Sequence, residues 1–222
     1  MAQFDRNIHF ALFSLFYRFI EINSISVTPK YLTRFYQFTL YACIPAYALS
    51  LLWFAMPNYV YIIGFIAGIL QLVSLVYLFL ILRSVFPNIK SVFIKSLLWF
   101  VMISYFLKVI LQFLSVFPSF MQLALRLKPY FIIGYLHLFT LGFMSAFIIL
   151  LLLMLPKVQL SKIGIKTFVL GVFLSEFFLF LNGLLLLSFN GITKINELLF
   201  VVSILMPLGI LMIHFNFLKN QN

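Results

Sequence analysis

The chain has 222 residues, 65% of them hydrophobic and 9% charged, with a net charge of +11. A soluble domain carries about 25% charged residues, so this chain lacks the polar surface to cover a globule in water, and a lipid bilayer is the solvent that matches it. Its basic residues are spread between apolar runs and form no patch, which excludes nucleic acid as a partner and follows the positive-inside pattern of membrane proteins.

Residues 1–34 are expected to form a cytoplasmic, interfacial segment. Ile8, Ala11, Leu12, Leu15, Phe16, Phe19 and Ile20 recur at helical spacing, with Ser14, Tyr17, Arg18 and Glu21 off the stripe. The run is too short to span and reads as an amphipathic helix along the inner interface. Asp5 and Arg6 precede it and no small-residue cleavage site follows, so a cleavable signal peptide is not expected.

Residues 35–218 are predicted to be a transmembrane domain of six helices, making the fold an all-α membrane bundle. The apolar runs cover 35–56, 59–82, 91–117, 130–155, 163–188 and 195–218, each near the ~20 residues that cross the hydrocarbon core. Breakers separate them: MPN at 56–58, FPN at 86–88, FPS at 117–119, LPK at 155–157 and FNG at 189–191. Pro45 and Pro207 fall inside spans and predict kinks. Trp53, Trp99 and the tyrosines near span ends read as interfacial anchors. Gly64 and Gly68 form a GxxxG best read as close packing within the chain. Cys43, the only cysteine, is expected to fill space. With the N-terminus inside, Arg6, Arg18, Lys30, Arg34, Arg83, Lys90, Lys95, Lys157, Lys162, Lys166 and Lys219 face the cytoplasm. Only Arg126, Lys128 and Lys194 face out. Both termini are therefore predicted cytoplasmic.

Few residues inside these spans can carry chemistry. Ser104, Lys108, Gln112, Ser115 and Ser119 recur at spacings that put them on one face of the third span. A charged lysine at mid-span costs about 2.5–3.5 kcal/mol on insertion scales, and Lys108 lies about 13 Å from the span's outer end. Glu176, about 18 Å deep on the fifth span, is the candidate partner. The pair reads either as mutual neutralisation that fixes helix packing or as an ion-coupled site. His137, about 10 Å deep, is expected at the level of Gln112 and Asn182, with Lys108 and Glu176 beneath. Gly134, His137, Leu141 and Met144 share a helical face, which points His137 into the bundle. A buried imidazole reads first as an interhelical hydrogen-bonding group, at about 0.6–2 kcal/mol per contact. The sharper reading makes it a metal or haem ligand. A bis-histidine haem within this chain is disfavoured, because His214 lies about 14 Å away along the membrane normal and His9 is on the inner side. No HExxH, GxGxxG, phosphate loop or cysteine cluster is present.

LKVILQFLSVFP (107–118) followed by FIIGYLHLFTLGF (131–143) resembles a group of bacterial polytopic membrane proteins with a YLHLxxLGF-type helix, loosely similar to relatives of haem-copper oxidase subunit I. The resemblance covers mainly the third to fifth spans. It implies a bacterial cytoplasmic membrane, His137 as the candidate ligand, and Lys108, Gln112, Glu176 and Asn182 at matching positions. It also implies a further histidine-bearing half, so catalysis by this chain alone is not expected. The reading preferred here is a haem- or metal-associated redox-type subunit with His137 as ligand; the alternatives are a small ion-coupled transporter or channel, from the Lys108–Glu176 pair and the proline-bent helices, and a noncatalytic membrane subunit or assembly factor whose polar residues specify packing. Beyond the lipid bilayer, a partner subunit or self-association is the expected contact.

Overall fold

Backbone groups in hydrocarbon must be satisfied within their own segment, and every regular element among the described residues is helical. The computed structural model describes residues 2–22, 24–51, 57–155, 158–187 and 192–219, without the side chains of 2–10, 50–51, 124–125, 128–129, 187 and 218–219. The predicted breaks at 156–157 and 189–191, the end of the first predicted span at 52–56, Trp53 and Lys157 lie outside the described residues. So do the side chains of Arg6, His9, Lys128 and Lys219.

Among the described residues, five helical stretches are long and apolar enough to cross a bilayer: Asn58–Asn88, Val92–Leu114, Tyr130–Leu153, Lys162–Leu186 and Ile195–Phe217. They coincide with the second to sixth predicted runs. The first run differs. It is divided into α2 (Pro29–Cys43) and α3 (Ala46–Leu51) at Pro45, whose ring clashes with the carbonyl four residues back and which offers no N–H. The chain turns there through tighter bonds, Tyr47 N to Ile44 O and Ala48 N to Pro45 O. Lipid explains the outer surfaces. Ile62, Phe79, Phe173, Phe200 and Phe215 are exposed, a display that marks a membrane or partner surface rather than a wet one.

The chain forms two compact units, Met1–Trp99 with Phe106–Leu125, and Phe100–Tyr105 with Arg126–Asn222. In the first, α1 (Ala2–Ile22) ends in a Schellman-type reversal. Ser24 takes a left-handed φ of 50°, and Ser24 N and Ile25 N donate to Glu21 O and Ile20 O. α1 buries Leu12, Phe13, Phe16 and Ile20 while Leu15 is exposed, so its packed face is rotated from the predicted stripe toward Phe13, which meets Phe35 of α2 at 4.8 Å. α2 and α3 pack on α4 (Asn58–Val85), where the hydroxyls of Thr39 and Ser74 bond at 2.6 Å. α4 ends in a 3-10 turn at Phe86–Asn88, and α5 (Val92–Leu114) begins at Ser91, whose Oγ accepts from Ile94 N. Gly68 of the GxxxG sits under Phe113 of α5, 2.6 Å from where a Cβ would be, which fits packing within the chain. α6 (Pro118–Arg126) starts at the predicted FPS break. Ser119 therefore leaves the α5 stripe, because the helix it was counted on stops at Leu114.

In the second unit, α7 (Lys128–His137) passes into a π-helical segment, Leu138–Ser145, and then α8 (Ala146–Leu153). α9 (Lys162–Leu187) packs against α7, α10 (Ile195–Ser203) and α11 (Leu205–Lys219). α10 and α11 part at Ile204, immediately after the carbonyl that Pro207 leaves without its helical donor. α9 and α11 cross at glycines. A Cβ on Gly209 would lie 2.6 Å from Phe168 N and 2.7 Å from Gly164 O.

Candidate intramembrane polar site

α7 and α9 run antiparallel and are held together by a ladder of aromatic and glycine positions. Phe131 meets Phe180 edge-to-face at 5.8 Å and covers Gly183. One turn on, Gly134 faces Phe180 and Glu176, with Glu176 Oε2 3.5 Å from the place its Cβ would occupy. A further turn brings His137 opposite Glu176, with Nδ1 3.8 Å from Oε1. Glycine at 134 lets the helices approach closely enough for the carboxylate to reach across.

The two partners are unequally placed. The Glu176 side chain is 10% exposed and that of His137 41%, so the carboxylate is enclosed while the imidazole opens outward. Neither carboxylate oxygen, nor His137 Nδ1, has a hydrogen-bond partner. At 3.8 Å the pair exceeds direct hydrogen-bond range and is an ion pair only when the imidazole is protonated.

Within the second unit, the contact of His137 with Glu176 departs from the expected placing of Glu176 beneath His137. His137 and Glu176 stand at one level, because the offset of α7 on α9 is set by the Phe131 and Gly134 contacts. Asn182 joins neither of them. Its Oδ1 accepts from Ile192 N at 2.7 Å, tying the start of the α10 segment to α9, while Nδ2 is buried with no hydrogen-bond partner. Asn182→Ala leaves the Ile192 amide unpaired, and a loss of about 1–3 kcal/mol is expected. Thermal unfolding in detergent, with faster hydrogen exchange at Ile192, checks it. Lys108 and Gln112 belong to the first unit and His137, Glu176 and Asn182 to the second. Lys108 and Gln112 are half-buried, and Gln112 Oε1 is enclosed without a hydrogen-bond partner. Ser104 and Ser115 donate to Phe100 O and Gln112 O, so their hydroxyls are spent within the helix.

The π segment is the feature that periodicity missed. Its bonds reach one residue further than in an α-helix, so the expected face of Gly134, His137, Leu141 and Met144 holds only as far as His137. Thr140 Oγ1 donates to Leu136 O, and Ser145 Oγ to Thr140 O, five residues back. Gly142 gives way to Ser104, whose Oγ lies 3.0 Å from the missing Cβ, and Tyr105 packs on Phe143 at 4.8 Å. Such insertions recur at functional sites.

Among the described residues, no group of three or more His, Cys, Asp or Glu converges as a metal site. His137 with Glu176 offers two donors, and His214 is exposed on α11. Comparison with family models, with curated proteins and with solved structures finds no match.

Proposed function

We propose that this chain is a small ion-coupled transporter in which the His137–Glu176 pair takes up and releases a proton. The observation that carries the reading is the 3.8 Å imidazole–carboxylate contact on two apolar membrane-spanning helices, since an ionisable pair is expensive there and marks ion pathways and proton relays. The enclosed carboxylate stores the proton, and the more open imidazole exchanges it. The chain is read as six-spanning, with 35–56 as the first crossing and α1 along the inner interface of a bacterial cytoplasmic membrane. The lysine and arginine distribution puts both termini inside. Reconstitution into vesicles holding a pH-sensitive dye tests the function. An imposed potential is expected to drive acidification above that of protein-free vesicles, and equal traces overturn the reading.

A second reading keeps His137 as a haem or metal ligand. Metal-bound histidines usually turn their other ring nitrogen toward a carboxylate, and Nδ1 of His137 faces Glu176, which leaves Nε2 for a ligand bond. Further ligands would come from a partner subunit or a second copy. An absorption spectrum with metal analysis decides this reading: a Soret band or stoichiometric metal lost in His137→Ala supports it, and a colourless, metal-free protein ends it.

A further inference from the structure

The π segment Leu138–Ser145 separates two unequally anchored halves of one span. Beyond it, Ala146, Phe147 and Leu150 of α8 are fully buried. Gly142 and Phe143 of the segment itself rest on Ser104 and Tyr105 of α5. α7 is held more loosely, with Gly134 its one buried residue among those whose side chains are described. A whole segment in π winding is rare, and here a side chain supports it. Ser145 Oγ donates to Thr140 O at 2.9 Å, five residues back. A helical hydroxyl ordinarily bonds three or four residues back, as Thr140 does to Leu136 O. The Ser145 bond is therefore specific to the π winding.

A π segment holds one residue more than an α-helix needs for the same path. Rewound as α, with α8 fixed, it would turn α7 by one residue, about 100° and 1.5 Å. Leu138 would then stand where His137 now faces Glu176. Tyr135 would take the place of Gly134 against Phe180 and Glu176. Glycine there permits close approach, and a tyrosine would hold the two helices apart. We propose that Leu138–Ser145 is a register joint: its π winding makes the His137–Glu176 contact, and its α winding breaks that contact and uncovers the carboxylate. As a gate for proton exchange the joint rests on the transport reading, whereas the rewinding itself stands apart from it.

Crosslinking between α7 and α9 distinguishes the two windings, with Cys43→Ala removing the native thiol. Phe131 meets Phe180 in the π winding, and Ile132 takes its place in the α winding. Two pairs are compared in proteoliposomes: Phe131→Cys with Phe180→Cys, and Ile132→Cys with Phe180→Cys. A short bifunctional thiol reagent links them, and mass spectrometry of the peptides gives the rates. The first pair is expected to react fast, and the second at about 0.1–10% of that rate, as an accessible minor state does. Ser145→Ala is expected to raise the second rate about fivefold, the factor for one net hydrogen bond. Deletion of Leu141 lets the segment wind as α in the existing register, so it is expected to keep the first crosslink and abolish the second. The joint is overturned by absence of the second crosslink in the unaltered segment, by its persistence after the deletion, or by an unchanged rate in Ser145→Ala. Should the deletion variant fail to elute as wild type, the Ser145→Ala rate decides. Vesicles that move no proton while both crosslinks behave as expected remove the transport reading and leave the joint standing.

Discussion

Gly209→Val is expected to destabilise the protein by about 3 kcal/mol, the upper part of the range for overpacking a filled contact. A Cβ at 209 would sit 2.6 Å from Phe168 N and 2.7 Å from Gly164 O, both backbone atoms of α9 that no rotamer change can move aside. Only 11% of the apolar window of this last span is buried, and Leu208, Ile210, Leu211, Met212 and Phe215 are exposed. Between helices in lipid the hydrophobic drive is absent, and close packing at small residues supplies the association. The glycine crossing is therefore the main hold of α11 on α9. Thermal unfolding in detergent measures the loss. Gly164→Ala meets the same contact from the other side, so its effect with Gly209→Ala is expected to be non-additive. Gly134→Ala, which faces only the side chains of Phe180 and Glu176, is expected to cost under about 1 kcal/mol because those atoms can yield. Unchanged stability in Gly209→Val would mean that α11 does not rest on α9 in this way.

The same glycines show what could and could not be read from the chain. Five of the predicted runs coincide with helical stretches of spanning length, their ends within about six residues, because hydrocarbon thickness imposes length directly. Pro45 was legible as a disturbance, but whether a proline bends a helix or divides it depends on the bonds around it. Here the division leaves only fifteen residues in α2. The face of α1 was misjudged by about one position because Leu15 and Phe13 are equally apolar, and only the ring of Phe35 selects between them. His137 and Glu176 stood out as ionisable groups in apolar runs. Their common level did not, since counting from span ends assumes that neighbouring helices start at the same height. Phe131, Gly134 and Gly183 set the offset through shape. The π segment left no periodic signal at all: one added residue per turn shifts every later position, and Leu, Phe and Thr at 138–140 suit either winding.

Glu176→Gln is expected to reduce proton movement in vesicles at least about 100-fold, the lower limit for removing a positioned acid–base group. Glutamine keeps the shape and removes the titrating oxygen, so whatever the pair does with a proton ends there. Folding is expected to survive. The carboxylate has no hydrogen-bond partner, and a charge so placed is no net stabiliser in an apolar span. His137→Asn is expected to give a comparable loss, and the double variant little more, because two groups that pass one proton act as a unit. The same substitution separates the two readings of the site. If His137 instead binds metal through Nε2, Glu176→Gln only loosens its orientation. Metal affinity then falls about 10–100-fold, and vesicles with wild-type or variant protein give the same background proton trace. A wild-type trace above background that persists undiminished in Glu176→Gln removes the carboxylate from the pathway and leaves the contact with His137 as helix packing.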